Sequence, residues 1–324
     1  MLPKLRLAHL PTPLWHSDAL DELVGAQVWV KRDDMSAGAE AGNKIRKLEY
    51  LLADALERGA SHVITCGGDQ SNHARATALL CARLELNAVL FLRTTQSDPK
   101  VNGNLLLDHM AGAEVRFITP EDYRRRAEVM ADAARALEKD GRMSVVIPEG
   151  GSNGLGALGY VDAMREVRQQ LDLGLAGRNL GFDAIVSACG SGGTAAGLAL
   201  GAQEWGIAPE VHAMAVCDDA AYFESVIGRI VLEAIAVDPS LGHTAKIVVH
   251  DGFKGPAYAV ASAEQKRFIV EVARRTGLVL DPVYTGKALF GLSRLSEKPE
   301  RVLFIHTGGL PGLLAQSKAI REAL

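Results

Sequence analysis

Short apolar, β-branched runs alternate with helix-length amphipathic segments along nearly the whole chain. The runs are HVITC (62–66), AVLFL (88–92), EVRFIT (114–119), SVVIP (144–148), AIVSA (184–188), VHAMAV (211–216), KIVVH (246–250) and RVLFIH (301–306). That rhythm reads as βα units, and it predicts an α/β fold whose mainly parallel sheet carries helices on both faces. In such folds ligands sit beyond the carboxyl ends of the strands. At 324 residues the chain is long enough for one large domain or two intertwined lobes. No internal repeat, low-complexity tract or linker is visible, so any boundary must be a crossover within a continuous fold.

Composition narrows the classes. Hydrophobic residues make up 48% and charged residues 23%, with a net charge of -4 spread along the chain. This is the balance of an ordinary globular protein, with no basic surface for nucleic acid. No apolar run approaches the roughly 20 residues of a membrane helix, and the N-terminus MLPKLRLAHLPTPLW lacks the apolar core and cleavage site of a signal peptide, so a cytoplasmic address is expected. Cys66, Cys81, Cys189 and Cys217 stand far apart with no CxxC pair, which suggests neither a zinc site nor a disulfide scaffold.

Four glycine-rich stretches follow strands or open helices: AGNK (41–44), CGGDQSNH (66–73), PEGGSNGLG (148–156) and CGSGGTAAG (189–197). Loops in those places converge on one cleft. The last of them follows a buried-type strand and leads into an alanine-rich helix, so several backbone N–H groups and the positive helix end point at one spot. A phosphate is the simplest occupant; the plain alternative is a tight turn that needs glycine only for its backbone freedom. It is not a GxGxxG fingerprint, because residue 195 is alanine, and it lacks the Gly-Lys-Ser/Thr of a P-loop.

Lys44 follows Gly42 and Asn43 and opens a charged amphipathic segment, IRKLEYLLADALERG. Most lysines at a helix start are solvated, yet an amine fixed by Asn43 beside a phosphate cradle is what a Schiff-base lysine requires. Ser71, Asn72 and His73 sit where a strand turns into a helix. Free N–H groups with a hydroxyl and an amide suit a carboxylate there, although Ser and Asn are also the usual N-caps. Tyr284, before a glycine turn, and Thr307, directly after a strand, reach the same cleft, with a core tyrosine as the alternative. Lys287 reads as a surface residue.

Taken together, PTPL (11–14), KRDD (31–34), GNK followed by RKLE (42–49), QSNHARATA (70–78), GGSNGLGALGY (150–160), ACGSGGTAAG (188–197), DPVYTGKA (281–288) and HTGG (306–309) resemble the D-cysteine desulfhydrase and 1-aminocyclopropane-1-carboxylate deaminase family. The likeness is collinear over nearly the whole chain, and AVCDD (215–219) with FIHTGGLPGL is similar to the desulfhydrase of plants in particular. The resemblance implies the tryptophan synthase β-like fold of type II pyridoxal-phosphate enzymes, with two open, twisted, mostly parallel sheets. It also implies a large cofactor-binding lobe of residues 1–46 and 157–324, a small lobe of 47–156, and a homodimer acting on a small amino acid.

Carried over residue by residue, the resemblance places pyridoxal 5'-phosphate on Lys44 as an imine, with Asn43 beside it. The phosphate falls on Gly190, Ser191, Gly192, Gly193 and Thr194. Ser71, Asn72 and His73 receive the substrate carboxylate, with Asn72 also at the ring hydroxyl, and Tyr284 stands near the reacting carbon. The cyclopropane deaminases carry a glutamate after that tyrosine and a glutamine after SN, where this chain has Thr285 and His73. A threonine hydroxyl, from Thr307 or Thr285, does not keep the pyridine nitrogen protonated, and a weaker electron sink suffices when a good leaving group departs from the β-carbon. The expected activity is therefore β-elimination from D-cysteine, ahead of cyclopropane deamination, β-replacement, or a regulatory module that uses the glycine loop without chemistry. Ala41, Asp69 and Glu149 depart from the family pattern, and the two acids make an acidic substrate such as cysteate the less expected one.

Overall fold

The structure, a computed structural model, describes residues 2–177 and 181–324. Its strands are β1 (Leu14–His16), β2 (Gln27–Lys31), β3 (His62–Gly68), β4 (Asn87–Arg93), β5 (Glu114–Ile118), β6 (Ser144–Val146), β7 (Ala184–Cys189), β8 (Glu210–Ala215), β9 (Lys246–His250) and β10 (Arg301–Ile305). All eight runs read from the sequence are strands, with ends that differ by at most two residues. The two additions, β1 and β2, are short and broken by polar residues, which hides them from an apolar-run criterion.

The strands form two sheets. One has the order β1-β2-β10-β7-β8-β9 and the other β5-β4-β3-β6. Every pairing is parallel except β1 with β2, where Leu14 faces Lys31 and His16 faces Trp29. Central strands are apolar on both faces because helices cover both: all six residues of β7 are buried. The edge strand β5 instead exposes Glu114, Arg116 and Phe117, and charged side chains on an edge discourage further pairing. Among the described residues no helix is long and apolar enough to cross a membrane, and the four cysteines are free.

The helix Asn43–Glu57 departs from the sequence reading. Eleven of its fifteen residues are buried, Arg46, Lys47 and Glu49 among them, so its charges are not a solvated face. Arg46 binds Asp33 in a two-pronged contact, Nε to Oδ2 at 2.9 Å and Nη2 to Oδ1 at 2.8 Å, and reaches Glu166 through Nη1 at 3.0 Å. Lys31 pairs with the same Glu166 and donates to the Thr12 carbonyl at 2.7 Å and Gln170 Oε1 at 2.6 Å. Tyr160 donates its hydroxyl to Asp33 at 2.6 Å. Two cations and two carboxylates thus share one buried site joining the N-terminal strands, the Lys44 helix and the helix Gly154–Asp172.

Burial alone would raise the Asp33 and Glu166 carboxyls, but Arg46 and Lys31 outweigh it and hold both below the ordinary carboxylate range. Their contribution is therefore present above the unfolded carboxylate pKa and is lost as pH falls through the lowered folded values. Arg46→Met removes the cation that both carboxylates share and should destabilise the fold by about 3–5 kcal/mol. The measurement is the urea midpoint at neutral pH; a midpoint equal to that of the parent would contradict the network's structural role.

Candidate active site

The turn that presents Lys44 is fixed by main-chain contacts. Gly42 has φ +123, and a Cβ there would meet the Thr307 carbonyl oxygen at 2.9 Å, so only glycine lets the two loops touch. Asn43 donates its N–H to the same carbonyl at 3.1 Å and its Nδ2 to Thr194 Oγ1 at 3.1 Å. Arg75 holds the preceding residues through the carbonyls of Ala39 at 2.8 Å and Ala41 at 2.7 Å. Lys44 Nζ lies 3.5 Å from the Gly150 carbonyl, and burial, partly offset by Glu149 and Cys189, lowers its pKa to about 8. The amine is thus available as a nucleophile or base near neutrality.

The glycine loop joins β7 to the helix Gly193–Glu204. Gly190 packs on the Tyr284 ring, 3.1 Å from where its Cβ would stand, and Gly192 has φ +81. A side chain at Gly193 would meet Ser152 Oγ at 2.7 Å and Lys47 Nζ at 2.9 Å. Lys47 is one turn past Lys44, fully buried, and donates to the Gly150 carbonyl and Ser152 Oγ, each at 3.2 Å. Burial first, then Lys44, push its pKa well below the ordinary lysine value. Two amines and a helix N-terminus therefore meet with only neutral oxygens as hydrogen-bond partners, which is a site built for a dianion.

Opposite stands the turn from β3 into the helix Asn72–Arg83. Ser71 is its N-cap, Oγ accepting from Ala74 N–H at 3.1 Å, so the capping alternative holds even as the residue lines the cleft. Asn72 accepts at Oδ1 from Asn104 Nδ2 at 3.0 Å, which leaves its Nδ2 donor uncommitted. Thr65 gives its hydroxyl proton to the Ile147 carbonyl at 2.8 Å, so the 2.9 Å contact between Thr65 Oγ1 and His73 Nε2 requires the proton on Nε2. His73 Nδ1 is then a buried acceptor with no partner. Burial, with Lys44 and Lys47 beside it, keeps the ring neutral by pushing its pKa well below the ordinary value.

These turns enclose a cleft of about 870 Å³ lined by Asn43, Lys44, Ser71, Asn72, His73, Tyr284, Thr307 and the glycine loop. Tyr284 meets a second tyrosine, Tyr258, hydroxyl to hydroxyl at 2.6 Å. Thr285 is not among the lining residues: its hydroxyl donates to Asp281 Oδ1 at 2.7 Å and accepts from Asp281 N–H at 2.9 Å, which spends its one proton on anchoring the helix Thr285–Arg294. Lys287, expected at the surface, is wholly buried. Of the two acids flagged in the sequence, Glu149 is held by the Tyr123 hydroxyl at 2.5 Å and Arg126 Nε at 3.1 Å, and Asp69 accepts from Thr94 Oγ1 at 3.2 Å. Arg93 also lines the cleft, its guanidinium stacked on Tyr123 and Tyr258 at 4.7 and 5.4 Å from the ring centres.

A model of the family described as pyridoxal-phosphate dependent enzyme matches residues 5–308. This chain belongs to the pyridoxal-phosphate-dependent enzymes. It is 43% identical over 321 residues to an Arabidopsis thaliana protein named as a bifunctional mitochondrial D-cysteine desulfhydrase/1-aminocyclopropane-1-carboxylate deaminase, covering 95% of this chain and 78% of that one. A D-cysteine desulfhydrase of Salmonella schwarzengrund is 39% identical over 326 residues, covering 97% and 96% of the two chains. A solved structure described as an ACC deaminase homologue superposes with a TM-score of 0.90 at 36% identity, covering 100% of this chain and 97% of that one. A fungal L-serine ammonia-lyase at 18% identity, TM-score 0.68, shares the type II fold.

The donor set fits this family's cofactor. Lys44 could form the imine, while Lys47, Ser191, Thr194 and the amides at Gly192 and Gly193 could hold the phosphate. Lys47, Ser152 and Tyr258 were missed in the sequence. The i, i+3 spacing of Lys44 and Lys47 on one helix face is a signal for the first; Tyr258 lies in an irregular loop without a motif.

Because the free amine of Lys44 titrates near 8, capture of pyridoxal phosphate by the apoprotein should quicken with pH up to about 8 and level off above it. The rate at which the visible band appears measures this. A rate still rising steeply to pH 10, as for an ordinary lysine, would contradict the burial argument.

Proposed function

We propose that this enzyme removes the thiol of D-cysteine by β-elimination followed by hydrolysis, converting D-cysteine and water to pyruvate, hydrogen sulfide and ammonia, with pyridoxal phosphate joined to Lys44. The observation that carries the reading is the wall beside Asn43, where Thr307 and not a carboxylate lines the cleft. Among the described lining residues the acids are Glu149 and Asp218, and Glu149 is already neutralised by Arg126 and Tyr123. Such a wall leaves the ring a modest electron sink, which is enough for loss of a thiol and poor for opening a carbon ring. The desulfhydrases among its relatives support the same branch.

When bound, the cofactor supplies the sink that stabilises negative charge on the substrate carbon bearing the amino group. The chain does the rest. Asn43 and Thr194 brace the Lys44 turn, and Gly190, Ser191, Gly192 and Gly193 leave room for the phosphate at the helix N-terminus. The Ser71 hydroxyl, Asn72 Nδ2 and the first amides of the helix Asn72–Arg83 take the substrate carboxylate. Neutral His73 has no proton on the nitrogen that lacks a partner, so it does not bind the substrate carboxylate through the ring. Lys44 Nζ takes the α-proton, and Tyr284, in contact with Tyr258, supplies a proton to the departing sulfur. In this reading residues 1–46 and 157–324 form the large lobe and 47–156 the small one, a division supported by the membership of the two sheets. The protein acts as a cytoplasmic homodimer in the same proposal, as the family resemblance implies.

Cyclopropane deamination remains the second reading because the Arabidopsis relative is named for both activities. Wild-type enzyme should release sulfide and pyruvate from D-cysteine with a kcat/KM at least about tenfold above that for 2-oxobutyrate from 1-aminocyclopropane-1-carboxylate, a barrier difference of about 1.4 kcal/mol. The assay is the two product rates under one condition. Preference for the cyclopropane, or inertness toward D-cysteine, would overturn the reading. Thr285→Glu, which the sequence alone suggests as a converting change, should instead lower stability, because it sets a second carboxylate against Asp281.

A further inference from the structure

Lys287 lies in the first turn of the helix that Tyr284 precedes as its N-cap, and its side chain is completely buried. Its Nζ donates to three main-chain carbonyls: Lys254 at 2.5 Å, Ala257 at 3.0 Å and Val216 at 3.5 Å. An ammonium has three donors and no acceptor, so all three are spent on carbonyl oxygens. No carboxylate pairs with it among the described residues; Asp281 and the Cys217 thiol act on it only at longer range. A ring of carbonyl dipoles around one positive charge is the coordination that proteins give a monovalent metal ion.

The segment these carbonyls belong to has little structure of its own. Residues 251–260 contain no helix or strand beyond an isolated bridge between Ala257 and Val260. Ala259 holds φ +60, a left-handed backbone that a non-glycine residue keeps only when its surroundings impose it. Gly255, at φ +75, lets the chain wrap the lysine: a Cβ there would meet the Val260 carbonyl at 2.8 Å and Lys287 Cε at 3.5 Å. Between the clamped Ala257 and the strained Ala259 stands Tyr258, whose hydroxyl meets that of Tyr284.

We propose that Lys287 is a positioning residue that acts as a built-in monovalent cation, gathering the 254–257 carbonyls so that Tyr258 is held against Tyr284. One helix then delivers both Tyr284 and the clamp for its partner. Burial lowers the Lys287 pKa only to about 8, so the charge is retained at neutral pH.

The inference rests on the proposed role of Tyr284, and the tests separate the two. In the holoenzyme, Lys287→Met should speed amide hydrogen exchange at residues 253–260 by about tenfold or more and leave the Lys44 helix unchanged, a readout that needs no substrate. On D-cysteine the same variant should lose about 30- to 100-fold in kcat with KM within about twofold, as expected for a group misplaced by an ångström. In a Tyr258→Phe background the further loss should shrink below about threefold, because the two changes act through one hydroxyl. Unchanged exchange in 253–260, or an undiminished kcat loss without the Tyr258 hydroxyl, would overturn the proposal. Should the methionine variant not fold, Lys287→Ala assayed with and without ammonium or potassium ions decides: activity that rises with either ion supports a carbonyl cation site, and indifference to both overturns it. Wild-type enzyme inert toward D-cysteine would sink the substrate reading and leave the exchange test standing.

Discussion

Arg46, shared between Asp33 and Glu166 under the Lys44 helix, is the contact on which the site depends. Taking four ionised groups out of water costs several kcal/mol each, and the cost is offset only when every charge keeps a partner. Here the two-pronged Arg46–Asp33 contact, Lys31, Tyr160 and Thr12 supply those partners. The result is a helix that cannot rotate: with about 100° per residue, pinning Arg46 turns Lys44 to the opposite side, toward the cleft. Lys47 follows on the same face. The position of Lys44 is thus set by ion pairs two residues away and on the far side of the helix.

The cleft is electrostatically incomplete as the chain alone presents it. Lys44 and Lys47 disfavour each other's charge, and burial disfavours both. The N-terminus of the helix Gly193–Glu204 adds a further positive end, and the helix Asn72–Arg83 faces it with another. Two strand-to-helix turns, after β3 in one sheet and β7 in the other, therefore offer two anion sites across one cleft. A phosphorylated cofactor and an amino acid carboxylate would supply two such anions, while burial lowers the pKa of the Lys44 amine between them to about 8.

Much of this was legible in the sequence, and the reasons differ by residue. The strand rhythm exposed eight strands because buried parallel strands are continuously apolar; β1 and β2 escaped because they are short and carry polar residues, His16 in β1 and Gln27 and Lys31 in β2. The glycine motifs located the cleft, since close approach at Gly42 and Gly193 leaves no room for a Cβ. Charge was the poorer guide. Arg46, Lys47 and Lys287 look like surface residues in a one-dimensional pattern, and their burial follows from partners 13 to 120 residues away or from carbonyls that carry no sequence signal. Thr285 was placed correctly along the chain yet faces Asp281, because a helix N-terminus takes its hydroxyl as an anchor.

The position at which the cofactor is joined is the most direct test of the Lys44 assignment, because Lys47 offers a second buried amine one turn beyond Lys44. Borohydride reduction of the holoenzyme, followed by peptide mass mapping, fixes the position of the pyridoxyl group. With the imine on Lys44, the label is expected on Lys44 alone, with Lys47 unmodified. Label on Lys47, or on any lysine outside the cleft, would contradict it.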